Sequence, residues 1–213
     1  MRRALLALAL TAFTGLALAL AGPASAASGQ VMHFRFHGGF AEAFWESSTA
    51  TRVTDTAVTV SASKQGSHLF VDQFTAHFDA NGNFAGGTDT LSEVTGGFSF
   101  TLRHRLAGAS LSGSGLPATR CAFDADFNQT GCTATTINVT VTWTGRGPIG
   151  RDVFNEHFKS DGFSVTDHFN GTSRDATATG RVAGRTLRAS ALEFADVGTA
   201  KSGSTTVCIG TGC

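Results

Sequence analysis

The clearest β-strand pattern in the chain is Val139-Thr140-Val141-Thr142-Trp143-Thr144, in which apolar side chains occupy every second position. Val58-Thr59-Val60-Ser61-Ala62-Ser63 carries a similar pattern about 80 residues earlier. Successive side chains of a β-strand point to opposite faces, so this alternation predicts strands that bury one face and expose the other. Both stretches therefore predict antiparallel β-structure.

The similarity extends beyond these strands and indicates a duplicated unit. Two further pairs of segments match in the same order, 72–78 with 152–158 and 106–111 with 182–187. We expect one unit of about 80 residues to occur twice, near 57–113 and 138–190. Since a solenoid needs about three or more stacked repeats, two copies favour a closed or paired sheet.

Helical patterns are nearly absent after the N-terminus, and turn-forming dipeptides separate the alternating runs. Gly38-Gly39, Gly96-Gly97 and Asn170-Gly171 are examples of such dipeptides. The pattern predicts about twelve strands in a single all-β domain over residues 27–213, folded as one antiparallel barrel or sandwich. The glycine- and serine-rich segment 108–118 is expected to be a joint between the two halves.

The N-terminus has the features of a secretory signal peptide over residues 1–26. Arg2-Arg3 precedes an apolar run from Ala4 to Ala21, and Ala24-Ser25-Ala26 is a small-residue cleavage site. An uncleaved membrane anchor is the alternative, since the run approaches the length of a spanning helix. We expect a cleaved signal and a secreted, extracellular chain, because Gly22-Pro23 and the cleavage site end the run.

The charge of the chain excludes some partners. It has 16 basic and 16 acidic side chains, and cleavage of the signal would remove two of the arginines. A charge so close to neutral provides no attraction to nucleic acid or to an anionic membrane surface. We therefore expect no nucleic-acid partner, and no membrane association after signal cleavage.

The cysteine content fits an exported protein. Cys121, Cys132, Cys208 and Cys213 are expected to form disulfides, which persist in oxidising compartments. Three pairings are open, and we favour the local one, which joins the first two cysteines and the last two. Structural zinc is the alternative, but neither spacing matches the C-x₂₋₄-C pattern of such sites.

The 18 phenylalanines and the absence of tyrosine predict a core built from Phe. Several acids share a strand face with these rings, because residues i and i+2 lie on the same side of a strand. If those faces line a lumen, the acids converge there as polar contacts of an apolar ligand pocket. The candidate ligand-binding residues are Glu42, Asp72, Glu156 and Asp167, joined by His104 in register with the apolar residues before it.

The alternative is that these acids lie at strand ends near a rim, where arginine or water pairs with them. A β-bulge could also turn them to the other face. The sequence leaves both interpretations open, because it fixes neither bulges nor strand register.

Metal and cofactor motifs are missing from the sequence. His33 and His37 would share a strand face but stand about 13 Å apart, which is too far to bind one ion. No G-x-S-x-G elbow, P-loop or dinucleotide-binding glycine pattern occurs. We expect neither a metal nor a cofactor, and the residues point to no enzyme class.

A resemblance to a group of proteins is carried by Asp152-Val153-Phe154-Asn155-Glu156-His157-Phe158 and by Thr166-Asp167-His168-Phe169-Asn170-Gly171-Thr172. These segments resemble the His- and Phe-rich strands of uncharacterised β proteins exported by actinobacteria, and the N-terminal signal is similar to theirs. The resemblance covers roughly residues 70–170. It implies secretion and an antiparallel β fold, and it carries no activity and no site residue.

Three functions follow as hypotheses. The first is a secreted β-barrel that binds a small, largely apolar ligand in an enclosed cavity reached by the acids. The second is an envelope or extracellular-matrix interaction protein without a pocket, which predicts a solid core and an exposed edge strand or aromatic patch. The third is an extracellular enzyme that uses buried carboxylates.

Overall fold

Residues 30–64, 66–160 and 163–209 are described by a computed structural model of the chain. The signal-peptide region predicted from the sequence lies outside these ranges. No helix within them is long and apolar enough to cross a membrane. In chain order the strands are β1 (Gln30–Thr49), β2 (Arg52–Ser63), β3 (Gly66–Phe78), β4 (Phe84–Val94), β5 (Phe98–Leu102), β6 (Gly108–Phe123), β7 (Gln129–Gly145), β8 (Gly150–Ser160), β9 (Phe163–Val182), β10 (Arg185–Leu187) and β11 (Leu192–Ile209). Two 3-10 turns, η1 (His104–Leu106) and η2 (Ala189–Ala191), precede β6 and β11.

All eleven strands of the described chain belong to one antiparallel sheet, which confirms the predicted all-β class. The pairing order is β10-β9-β11-β1-β2-β3-β4-β6-β5. In addition, β7 pairs with both β6 and β9, and β8 pairs with β9. From β9 the pairing runs through β11, β1, β2, β3 and β4 to β6, and β7 connects β6 back to β9. Part of the sheet therefore closes in a ring.

The chain divides into two compact units. The described residues of the first unit are 30–35, 153–160, 163–169 and 203–209. The second unit contains Phe36–Asp152 and Asn170–Ser202. Strands β2 to β7 and β10 lie wholly in the second unit, whereas β1, β8, β9 and β11 contribute to both. The single domain expected over residues 27–213 stays a prediction.

The core of the second unit is built from Val, Ala, Leu and Trp side chains at alternate strand positions. Val58 and Val60 of the earlier repeated stretch are fully buried, as are Val139, Val141 and Trp143 of the later one. Their polar neighbours in the later stretch are exposed. The alternation that predicted one-sided strands is therefore found in β2 and β7.

Two buried indoles form hydrogen bonds between strands of the second unit that are far apart in the sequence. The Trp143 Nε1–H of β7 donates a hydrogen bond to the Glu42 carbonyl oxygen of β1 at 2.8 Å. The Trp45 Nε1–H of β1 donates to the Ala178 carbonyl oxygen of β9 at 3.4 Å. These bonds satisfy the only polar atom of each buried indole and fill the interior with aromatic volume.

Three segments expected to be turns or joints lie inside strands. Gly38-Gly39 is part of β1, Asn170-Gly171 is part of β9, and segment 108–118 is part of β6. At Gly38 φ is +118°, and a side chain there would overlap a carbonyl group of β2. This glycine therefore permits the close approach of a neighbouring strand instead of reversing the chain. Strand β6 accommodates its glycine-rich stretch by a register shift between Gly113 and Leu116.

Candidate functional site

The face of β1–β4 that points away from the core carries phenylalanines and acids side by side. Phe44, Ala57, Asp72 and Leu91 are successive partners across these four strands, and the other residues of this face lie two or four positions away from them. We call this surface the acid–phenylalanine face. Its rings and acids are Phe40, Glu42, Phe44, Glu46, Asp55, Phe70, Asp72, Phe74, Asp89 and Glu93.

This arrangement corrects in part the expectation of a core built from Phe, although Phe70 and Phe169 are buried. In the described part of the chain, the buried core cluster contains no phenylalanine, although Phe98 and Phe100 pack against it. The rings of Phe40, Phe44 and Phe74 are half-buried on the opposite face. Period-2 alternation defines two faces but does not say which one closes on the core, and here the smaller Val and Ala side chains do so.

Glu42 is the most deeply buried acid of the acid–phenylalanine face, with 6% of its surface exposed. The rings of Phe40 and Phe44 flank it on β1, and Phe44 stacks on Phe194 of β11 with ring centroids 6.0 Å apart. Gly198 of β11 contacts the Phe40 ring, which a side chain at this glycine would overlap. Phe rings therefore lie on either side of Glu42 along β1, and one of them stacks on a ring of β11.

A second carboxyl lies beside Glu42. Burial, and then the charge of Asp196, raises the pKa of Glu42 from 4.5 to about 8. Asp196 is itself buried, and burial followed by the charges of Asp175 and Asp152 raises its pKa from 3.8 to about 6. Within the described ranges, no hydrogen bond or ion pair reaches the Glu42 carboxyl. Ionisation of these two carboxyls is therefore unfavourable.

A second acidic group occupies the same face two strands away. Asp72 lies diagonal to Asp55 and to Asp89 on the neighbouring strands. Burial, a hydrogen bond with the Asp89 carboxyl, and the charges of Asp89 and Asp55 raise the pKa of Asp72 from 3.8 to about 8. One buried oxygen of each of the three carboxyls has no hydrogen-bond partner. No group of three or more acidic, His or Cys side chains in the described residues has the geometry of a metal site.

Positive charge is missing from the acid–phenylalanine face. The register places no Lys or Arg among the facing residues of β1–β4. The base on this face is His68, whose Nε2 lies 3.0 Å from the Glu93 carboxylate near the edge. Burial is the largest cause of the upward pKa shifts on this face, and like charges without a counter-ion add to it.

Glu156 and Asp167 belong to the first unit and lie on paired strands, β8 and β9. His157 is hydrogen-bonded to Thr166, His168 to Asn155, and Phe154 stacks on Phe169 with centroids 5.4 Å apart. These three contacts fit one antiparallel register, in which Glu156 faces Asp167. Asp167 is 7% exposed and one of its oxygens has no hydrogen-bond partner, whereas Glu156 is exposed.

The predicted site residues therefore fall into separate places. Glu42 and Asp72 share the acid–phenylalanine face of the second unit, and Glu156 and Asp167 face each other in the first unit. His104 is exposed in η1, because β5 ends at Leu102 and the chain turns there. The strand alternation that placed His104 in register with the preceding apolar residues does not continue through this turn.

Sequence reasoning missed three acids of the site. Asp196 follows Phe194 at the i+2 spacing used for the other candidates, so the same rule could have found it. Asp55 and Asp89 have no Phe two residues away, and only the strand register brings them beside Asp72. Their contribution depends on pairing across strands, which no local spacing encodes.

Two further features bear on the predicted site. The Cys121–Cys132 disulfide is formed between directly opposed residues of β6 and β7, as favoured from the sequence. Cys208 is disulfide-bonded as well, and Cys213 lies outside the described residues. A cavity of about 140 Å³ in the second unit contains none of the predicted ligand-binding residues in its lining.

Comparisons with known proteins return no relatives. No protein-family model, no curated protein and no solved structure matches the chain.

Proposed function

We propose that the chain is an exported interaction protein that binds a basic polypeptide segment through the acid–phenylalanine face. The observation that carries this proposal is Glu42, a carboxyl only 6% exposed on a face without Lys or Arg. The packed core and the small volume of the described cavity also favour a protein that binds on its surface.

A basic side chain of a partner would supply the positive charge that the acid–phenylalanine face lacks. Burying a charge without a partner costs several kcal/mol, and an opposite charge nearby offsets part of that cost. The apolar stems of Lys and Arg can lie along the half-buried rings of Phe40 and Phe44. A cation over an aromatic face adds about 0.5–2 kcal/mol. Acids and rings on one face therefore suit a partner with alternating basic and apolar residues.

Proton release should accompany this binding. A carboxyl with a pKa of about 8, such as Glu42 or Asp72, is about nine-tenths protonated at pH 7. An incoming ammonium or guanidinium group favours the ionised form, so each contacted carboxyl gives up its proton. Affinity should therefore rise as the pH increases toward 8.

The test is titration calorimetry with a capped peptide of alternating Lys and Leu, performed in two buffers that differ in ionisation enthalpy. We expect binding at pH 7 with net release of about one proton or more, because Glu42 and Asp72 start protonated. Glu42→Gln should weaken binding about tenfold and remove part of the proton release. Glu193→Gln, which changes an exposed acid of β11, is the matched control and should leave both unchanged.

Three results separate the alternatives. A peptide that does not bind, or that binds Glu42→Gln as tightly as the unchanged protein, overturns the proposal. Equal binding of an alternating Glu and Leu peptide overturns the electrostatic argument. Octylamine is titrated in the same way as a probe for a small, largely apolar ligand. The position of the acids among Phe rings is the observation that favours such a ligand. Saturable octylamine binding without peptide binding would establish that second function instead.

We also infer that the second unit is a closed barrel and that the chain arose by duplication. The pairing ring and the Trp143 bond from β7 to β1 support a closed sheet. The order of three long strands, a short strand, a 3-10 turn and a long strand occurs from β2 to β6 and again from β7 to β11, which supports duplication. Segments 106–111 and 182–187, however, lie on elements that do not correspond in this order. Export is supported by the signal-like N-terminus and by the Cys121–Cys132 disulfide.

A further inference from the structure

The second unit contains a cationic cleft that is separate from the acid–phenylalanine face. Its volume is about 140 Å³, several times the roughly 30 Å³ that one water molecule occupies in the liquid. The residues that matter for its chemistry are Trp45, Thr54, Thr56, Arg185, Arg188 and Ser190. We call this cavity the arginine cleft.

Two parts of the chain build the arginine cleft. Trp45, Thr54 and Thr56 are buried at core-facing positions of β1 and β2. The hairpin from β9 to β10 turns at Ala183 and Gly184, both with positive φ. Arg185 follows this turn and lines the cleft. The following 3-10 turn, η2, adds Arg188 at its start and Ser190 within it.

Arg185 is held in place but is not neutralised. Its Nη1–H donates to the Thr54 hydroxyl oxygen at 2.7 Å, which is the one hydrogen bond of this guanidinium within the described residues. A guanidinium has five N–H donors, so most of its hydrogen-bonding capacity is unused. No carboxylate lines the cleft, and no ion pair to Arg185 or Arg188 is formed in the described part of the chain.

Neighbouring charge makes an anion favourable at this position. Partial burial, followed by the charge of Arg52, lowers the pKa of Arg185 from its ordinary value. Both causes disfavour the guanidinium cation, and a bound anion would offset both. Thr56 accepts a hydrogen bond from the Gln73 side-chain amide at 3.2 Å, so its own O–H is available to donate.

We propose that the arginine cleft binds a small oxyanion, namely a carboxylate, sulfate or phosphate group. Planar guanidinium groups bind the two oxygens of such an anion with parallel hydrogen bonds. Arg185 supplies this contact, Arg188 supplies a second charge at the exposed side, and the Thr56 and Ser190 hydroxyls supply neutral donors. The cleft volume accommodates a group of this size. The site does not depend on the function proposed for the acid–phenylalanine face, since it has the opposite charge and different residues.

Tryptophan fluorescence provides a direct assay. The chain has two tryptophans, both in the core, and of these only Trp45 also lines the cleft. Sodium phosphate, sulfate and acetate are titrated against chloride at constant ionic strength, so that general screening stays fixed. We expect a saturable change with at least one oxyanion. Binding of phosphate and sulfate alone would identify a tetrahedral anion, and binding of acetate would extend the class to carboxylates.

Variants assign the binding to the cleft. Arg185→Gln should weaken the oxyanion about tenfold or more, because it removes a charge-assisted hydrogen bond. Arg188→Gln changes an exposed side chain and should weaken binding severalfold without affecting folding. Arg120→Gln, an exposed arginine on β6, is the matched control and should bind like the unchanged protein. No saturable change with any oxyanion, or equal affinity in Arg188→Gln and the unchanged protein, would overturn the proposal.

Discussion

Replacing Glu42 with glutamine should change how stability depends on pH. The folded pKa of about 8 lies well above the unfolded value of 4.5. A raised carboxyl pKa means that the folded state binds the proton more tightly than the unfolded state. The stabilisation is therefore complete below pH 4.5 and is lost as the pH rises through 8. Glutamine is neutral throughout and removes this dependence.

The magnitude follows from the difference between the two pKa values. One pKa unit corresponds to about 1.4 kcal/mol, so the shift of Glu42 from 4.5 to about 8 gives roughly 5 kcal/mol as an upper limit. The buried amide of glutamine leaves polar atoms without partners, which costs about 1–3 kcal/mol. We therefore expect Glu42→Gln to be about 1–3 kcal/mol less stable than the unchanged protein at pH 4 and about 2–4 kcal/mol more stable at pH 9.

Urea unfolding followed by tryptophan fluorescence at pH 4, 7 and 9 measures this effect, since both Trp side chains are in the core. Glu193→Gln changes an exposed glutamate on β11 and is the control for loss of one acid. Asp72 and Asp196 have raised pKa values as well, so Glu42→Gln should keep a smaller slope of the same sign. Parallel curves of stability against pH for Glu42→Gln and the unchanged protein would refute the reasoning.

Three other perturbations test the structure. Asp72→Asn should raise the free energy of unfolding at pH 9 and leave it nearly unchanged at pH 4, as measured by urea unfolding, because it removes a raised-pKa acid. Gly198→Ala should lower this free energy by about 1–3 kcal/mol, because the new methyl group overlaps the Phe40 ring; an unchanged melting temperature would contradict this. Replacing Cys121 and Cys132 with alanine opens a loop with a sequence separation of 11 and should lower stability by about 2–3 kcal/mol relative to the unchanged protein with its disulfides intact, as measured by urea unfolding.

The sequence predicts the strands better than it predicts their connections. Val58, Val60, Val139 and Val141 are buried as their alternation requires, because one-sided burial has a direct local signature. Gly38-Gly39 predicts a turn and instead lies in β1, since glycine serves both chain reversal and close strand approach. Only the tertiary structure distinguishes these two uses.

The candidate site was predictable only in part. Glu42 and Asp72 follow from the rule that i and i+2 share a face. Whether that face points toward the core or away from it cannot be predicted in this way, because it depends on which side of the sheet closes. Asp89 and Arg185 have no local signal at all. Strand register places Asp89 beside Asp72, and a hairpin brings Arg185 to the hydroxyl groups of β2.

The titration of the Glu42 carboxyl is the decisive measurement for the proposed binding of a basic segment. Carbon-13 NMR of the glutamate side chains, assigned with Glu42→Gln, measures it with and without the alternating Lys and Leu peptide. We expect a pKa near 8 in the free protein and a clear decrease when the peptide is bound. A Glu42 carboxyl that titrates near 4.5 in the free protein, or that does not respond to the peptide, would contradict this expectation.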